Sequence, residues 1–277
     1  MIDFKEITFV VQGPVHHGPA FSTSSVTASI RKHFPGSPII LSTWENSNID
    51  GIDADLIVLN IDPGTIICRP VNINVNRQIV STKSGLDRVR TKWAVKMRSD
   101  TPCASSNIAQ LLEVLKPADY FDHFVLTTEK FTRDPFLGDY LYHPSDIFFA
   151  GLASDLAGLY DIPLAKREDV ISETDQHFAG PEQYIWMKYL NLPMNPSLLK
   201  RNIGNSYQSE TTIHNSFLIL HEDTLGLVLP EKLKYGYMYQ ETHFEAVSRA
   251  LYNVESPRMR NFLLFERLLA TPKPYPD

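Results

Sequence analysis

Along the first half of the chain, short apolar runs alternate with segments whose apolar positions recur every three or four residues. Ile7-Thr8-Phe9-Val10-Val11 reads as a strand, stopped by Gln12-Gly13-Pro14. From Ser22 to Phe34, the apolar Val26, Ile30 and Phe34 return at every fourth position, which predicts a helix with one inner face. Ser22, Thr23 or Ser24 supplies its N-cap hydroxyl, and Pro35-Gly36 ends it. Pro38 to Trp44 and Asp55 to Asn60 predict two more strands, the second closed by Asp62-Pro63-Gly64. A helix from Asn74 to Val89 leads into Trp93-Ala94-Val95-Lys96-Met97-Arg98-Ser99-Asp100, a strand that breaks off in small polar residues. Ser105 caps a further helix, with Ile108, Leu111, Leu112 and Leu115 at i, i+3, i+4 and i+7, and Pro117 terminates it.

This strand–helix rhythm implies an α/β fold, a mainly parallel sheet with right-handed crossovers and flanking helices. The strands lack apolar–polar alternation, as expected where both sheet faces are covered. After Phe124 the rhythm changes. Phe124 to Thr128, Leu141 to His143 and Asp146 to Gly151 read as strands, and Ala153 to Tyr160 and Pro181 to Leu190 as helices. Residues 191–240 read as irregular, and Phe244 to Tyr252 and Arg258 to Leu269 as two closing helices split near Pro257. With no repeat and no linker in view, the expectation is one domain. Residues 1–120 would form its ligand-binding half, and residues 121–277 an elaborated second half.

Composition narrows the class. The 277 residues are 43% hydrophobic and 21% charged, enough apolar material for a full core. A formal charge of −6 argues against bulk binding to nucleic acid. Two cysteines make no disulfide framework. No leader pattern and no apolar run of about 18 residues is visible, so a cytoplasmic protein is expected, with any membrane contact peripheral. The Arg-bearing, apolar closing helices are the segment such contact would use, although packing on the core explains them more cheaply. Phosphate loops of the Walker and GxGxxG kinds are missing, as are HExxH and GxSxG.

In open α/β sheets, ligands collect outside the carboxyl ends of the strands. Asp100 stands at such an end, where it either caps a turn or holds a divalent cation, Mg²⁺ or Mn²⁺, that in turn holds phosphates. Asn76 and Arg77, on the preceding helix, match a phosphate or a base through helix amides and a guanidinium fork. Gly13 beside Gln12 allows close approach to backbone, and Trp44 either stacks on a base or belongs to the core. Asp146 and Glu182 are the two carboxylates suited to general-base work. Each also has a plain structural role, Asp146 at a turn and Glu182 in the first turn of a helix. His16 and His17 sit in a loop. His214 and His221 are seven apart, which in one strand would put them on opposite faces.

Taken in order, Ile7 to Pro14, Ile39 to Glu45, Asn76 to Thr82, Lys96 to Asp100, His143 to Gly151 and Pro181 to Tyr184 resemble the WavE-type lipopolysaccharide-synthesis proteins. The resemblance runs over roughly residues 6–190. It implies a GT-A-like, Rossmann-type fold and a glycosyltransferase that moves a sugar from a nucleotide-sugar donor to a glycan or lipid-linked glycan acceptor. Gln12, Gly13, Thr43 and Trp44 would face the nucleotide, and Asn76, Arg77, Arg98, Ser99 and Asp100 the diphosphate, metal and sugar. Glu182 or Asp146 would be the base, with Glu182 preferred. GT-A enzymes carry Asp-X-Asp where this chain has Arg98-Ser99-Asp100, so one of the two expected carboxylates is replaced by a cation. A sugar-phosphate nucleotidyltransferase and a non-catalytic glycan-binding protein are the alternatives.

Overall fold

The computed structural model describes residues 2–68, 71–136, 140–172, 177–194, 199 and 202–234. The strands are β1 (Ile7–Gln12), β2 (Ile39–Trp44), β3 (Leu56–Asn60), a short hairpin of β4 (Ile66–Cys68) and β5 (Val71–Ile73), and β6 (Trp93–Arg98). There follow β7 (Val125–Thr128), β8 (Phe148–Leu152), a second short pair of β9 (Ile171–Ser172) and β10 (His177–Phe178), and β11 (Phe217–Leu220). The helices are α1 (Thr23–His33), α2 (Val75–Leu86), α3 (Asn107–Glu113), α4 (Ala153–Tyr160), α5 (Arg167–Val170), α6 (Pro181–Tyr189), α7 (Ile203–His214), α8 (Glu222–Leu225) and α9 (Glu231–Lys234). All of them lie within one compact unit, Met1–Gly236.

Seven strands form the main sheet in the order β11-β7-β8-β6-β1-β2-β3. The neighbours β1–β2, β1–β6, β2–β3 and β7–β11 are parallel, and only β8 runs the other way. The mainly parallel sheet read from the sequence is therefore present, with one reversed strand near its middle. All residues of β1 are buried, whereas the edge strand β3 exposes Leu56 and Leu59. That contrast follows from position, since a central strand is covered on both faces.

Helix α1 starts where the hydroxyl of Ser22 accepts from the Ser25 amide at 3.2 Å. Helix α2 packs on β1 and β2 and against α4 and α6. Its Gly85 makes this possible, since a Cβ there would collide with Val10 and come within 3.2 Å of Ser42 Cβ. Val10, Val75, Ile79 and Leu86 join Phe149, Leu156, Trp186 and Phe217 in one apolar core.

Three sequence expectations are corrected. Leu141 to His143 is no strand. Tyr142 takes a positive φ of 53°, and side chains satisfy this backbone: Ser209 Oγ accepts from the Tyr142 amide at 2.6 Å, and Gln183 Nε2 donates to the Leu141 carbonyl at 2.8 Å. The region after 191 is not irregular throughout, because it forms α7 and β11. The inner positions of α7 are mostly small and polar (Ser206, Ser209 and Thr212 beside Ile213), so no apolar periodicity announced the helix. The strand expected from Asp146 enters the ladder only at Phe148, leaving Asp146 and Ile147 ahead of it. The two closing helices between Phe244 and Leu269, and with them the membrane-surface reading, lie outside the described residues. Among the described residues, no helix is long and apolar enough to cross a membrane.

Candidate active site

Because six strands of the sheet run the same way, their carboxyl ends share one edge. The reversed β8 brings its beginning, and so Asp146, to that same edge. An open cleft of about 390 Å³ lies there. It is lined by Gln12, Gly13, Pro14 and His16 after β1, Trp44 at the end of β2 and Asp62 after β3. Arg98, Ser99 and Asp100 close β6, Asp146 precedes β8, Asn74, Arg77, Gln78 and Ser81 come from α2 and its cap, and Lys232 from α9.

The floor of the cleft is tied together by short hydrogen bonds. Gly13 has φ +115°, and a Cβ there would meet Ser99 Oγ at 3.3 Å. Ser99 Oγ donates to the Pro14 carbonyl at 2.6 Å, and the Ser99 amide to the Gln12 carbonyl at 3.0 Å. Ser81 Oγ donates to Gln12 Oε1 at 2.7 Å, joining α2 to the end of β1.

Two guanidinium forks rise from this floor. Arg98 binds the carboxylate of Asp100 through Nε at 2.8 Å and Nη2 at 2.9 Å. Lys232 Nζ approaches the same group at 2.6 Å, and His16 Nε2 lies 3.8 Å away. Burial alone would raise the pKa of Asp100, but Arg98 and Lys232 together outweigh it and hold the group down to about 2. Burial also lowers the pKa of His16, against the attraction of Asp100 and with the help of Lys232 and Arg98. The second fork is Arg77, paired with Asp62 at 2.7 and 2.6 Å. This hydrogen-bonded pairing lowers the Asp62 pKa and raises that of Arg77.

The sequence model of the WavE family, described as lipopolysaccharide synthesis, matches residues 7–267. The chain belongs to this family. No curated protein matches it. Among solved structures, it is similar to 4-diphosphocytidyl-2C-methyl-D-erythritol synthase from Anaerococcus prevotii. The two are 13% identical, over 61% of this chain and 82% of that one, with a TM-score of 0.35, too distant a likeness to bear on chemistry.

In this WavE-family chain the edge of the sheet gathers most of the residues that the sequence singled out: Gln12, Gly13, Trp44, Arg77, Arg98, Ser99, Asp100 and Asp146. Three stand elsewhere. Thr43 is buried and shares a hydrogen bond with Ser47 at 3.0 Å, because β2 turns it to the face opposite Trp44. Asn76 faces the segment before α5: its Nδ2 donates to the Ala165 carbonyl at 3.0 Å, and its Oδ1 accepts from the Ala165 amide at 2.7 Å. Both hydrogen-bonding ends of its amide are thereby engaged in structure. Glu182 begins α6 behind the cleft wall, with His143 Nε2 at 3.5 Å.

The cleft also holds residues that sequence reasoning did not select. Asp62 follows a strand as Asp100 does, and the same carboxyl-end rule would have found it. Lys232 had no local signal, since it meets Asp100 across 132 positions of sequence.

A divalent cation at Asp100 is one of the two readings that the strand end left open. The donor set does not fit one. Three N–H donors already converge on this carboxylate within hydrogen-bond distance, with a histidine beyond them. Such a field suits an incoming anion. Among the described residues, Glu129, His221 and Glu222 form a group whose ligand atoms all lie within 4.8 Å of one another. It sits past the ends of β7 and β11, away from Asp100 on the same sheet edge. His214 is not part of it, since it lies on α7, 4.0 Å from Glu210.

Proposed function

We propose that the chain is a glycosyltransferase of lipopolysaccharide synthesis, transferring a sugar from a nucleotide-sugar to a glycan or lipid-linked glycan acceptor. One observation carries the reading: an aromatic ring, three cationic side chains and a carboxylate that is not held in either fork converge on a single open cleft at the carboxyl edge of the sheet. Trp44 offers a stacking face for the base. Arg77, Arg98 and Lys232 answer the charge of the diphosphate, and Asp62 and Asp100 hold the two forks in place. Charge that grows on the leaving diphosphate is then met by fixed cations, so the reading requires no metal.

Asp146 is the base in this scheme. It lines the cleft, and Glu182 does not. The acceptor oxygen forms its bond to the anomeric carbon and its proton passes to the Asp146 carboxylate. The bond between the anomeric carbon and the diphosphate oxygen breaks, and its electron pair leaves with the nucleoside diphosphate.

The test is a thermal-shift panel with UDP, GDP and CMP, each with and without Mn²⁺, followed by incubation with the matching nucleotide-sugars. One nucleotide should stabilise the protein whether or not Mn²⁺ is present, and its sugar conjugate should be slowly hydrolysed. Stabilisation without turnover, for any conjugate or added glycan, would favour a non-catalytic binding protein. No stabilisation by any nucleotide would end the reading.

A further inference from the structure

Of the two adjacent loop histidines, His16 lines the cleft and His17 does not. Although His16 stands in a loop, its backbone is fixed in both directions. The His16 amide donates to Thr23 Oγ1 at 2.9 Å, and the His16 carbonyl accepts from the Thr23 amide at 2.9 Å. Thr23 Oγ1 donates in turn to the Ser99 carbonyl at 3.1 Å, which ties the loop to the end of β6. The ring is thereby placed on the cleft floor, a third exposed, with Nε2 3.8 Å from Asp100 Oδ2.

The charges around this ring favour an anion. Asp100 is already answered by Arg98 and Lys232, so the three groups together carry one net positive charge. The first turn of α1, to which the His16 backbone is bonded, holds no acidic residue. Across the cleft, Arg77 and Asp62 cancel each other as an ion pair, and Asp146 is the other carboxylate on the lining. Burial lowers the His16 pKa, against the attraction of Asp100 and with the help of Lys232, Arg98 and His17. The ring is therefore mostly neutral at pH 7. A diphosphate brings more than enough negative charge to reverse the field at this spot.

From this arrangement we infer that His16 is a further binding residue for the sugar donor, a phosphate contact that works by taking up a proton. As the diphosphate enters, the imidazole takes one proton from solvent, and its Nε2–H meets a phosphate oxygen. The inference rests on the reading of the cleft as the site of a nucleoside diphosphate. It adds a pH dependence that arginine and lysine do not give, because both stay charged through the neutral range. The sign follows from linkage: a pKa raised in the complex contributes affinity below the free value, and the gain is lost as pH rises through the bound one.

The experiment is isothermal titration calorimetry of the full chain with UDP, GDP, CMP and inorganic pyrophosphate, each in two pH 7 buffers of different ionisation enthalpy. With the nucleotide that binds, the wild type should take up about half a proton or more, as a pKa rise of about one unit through neutrality gives. His16→Gln should lose this uptake, and His17→Gln should keep it. The ligand's own ionisation is common to the three proteins and cancels. At pH 6.5 the Kd of His16→Gln should exceed that of the wild type about five- to tenfold, and at pH 8.5 the two should agree within about twofold. The fold is not at risk, because Thr23 bonds the His16 backbone and not its ring; Tm should stay within about 2 °C. Equal uptake in wild type and His16→Gln, or a deficit that is the same at pH 6.5 and 8.5, overturns the inference and leaves the nucleotide site standing. If pyrophosphate binds with uptake through His16 and no nucleotide binds, the proton-dependent contact stands and the glycosyltransferase reading falls. Binding of neither overturns both.

Discussion

Replacing Asp100 with Asn removes one negative charge from beneath two cations and leaves the shape of the side chain unchanged. The carboxyl group has an ordinary pKa of 3.8, and in the folded chain it is held near 2. That difference, at about 1.36 kcal/mol per unit, makes the charged form worth on the order of 2 kcal/mol to the folded state at neutral pH. The sign follows from the direction of the shift. A carboxylate with a depressed folded pKa stabilises the protein above its unfolded pKa, and the benefit disappears as pH falls through the folded one. Wild type and Asp100→Asn should therefore differ by about 2 kcal/mol at pH 7, or on the order of 5 °C in Tm for a chain of this size. The gap should shrink from about pH 4 downward and close near pH 2. Urea denaturation of both proteins at pH 7, 4 and 3 measures this, since every other titrating group is common to the two and cancels. A gap that is constant across that range would refute the electrostatic account and point to packing. No gap at pH 7 would mean that desolvating Asp100, Arg98 and Lys232 costs as much as their attraction returns.

Trp44→Ala should weaken binding of the stabilising nucleotide by about 10- to 100-fold if the ring stacks on the base, measured by calorimetry; an unchanged Kd would assign the ring to the wall of the cleft. Gly85→Ala should destabilise the chain by about 1–3 kcal/mol despite the better helix propensity of alanine, because the new methyl group collides with Val10. Equal or higher stability in denaturation would show that α2 moves off β1 freely. Asp155→Ala should cost about 1–3 kcal/mol, since the carboxylate accepts the Asp122 and His123 amides at 3.0 and 3.1 Å, and both would lose their partner. Sugar transfer should survive EDTA with less than a twofold change, and restoration of lost activity by Mn²⁺ would reinstate a metal in the donor site.

The chemistry at the strand ends was open to sequence reasoning because it depends on local chain order. Gln12-Gly13-Pro14, Trp44 and Arg98-Ser99-Asp100 each follow an apolar run of strand length, and parallel strands deliver such residues to one edge. Arg77 was legible in the same way, one turn into a helix that begins near that edge. Arg98 in place of a carboxylate was visible too, and it already set a metal at Asp100 against an arginine that answers phosphate directly.

What the order of residues could not convey is which way a side chain faces and what meets it across the fold. Thr43 and Trp44 are adjacent, yet β2 turns one inward and the other to the cleft. Asn76 and Arg77 are adjacent on α2, yet one bonds Ala165 and the other Asp62. Asp146 and Glu182 are alike as carboxylates, and only the assembled sheet shows that the first lines the cleft while the second lies beside His143. Lys232 reaches Asp100 only after the chain has closed on itself. Hydrophobic periodicity records which positions share one face of a strand or helix, a short-range property. Charge pairing and desolvation depend on distances in space, and those exist only once the sheet is assembled.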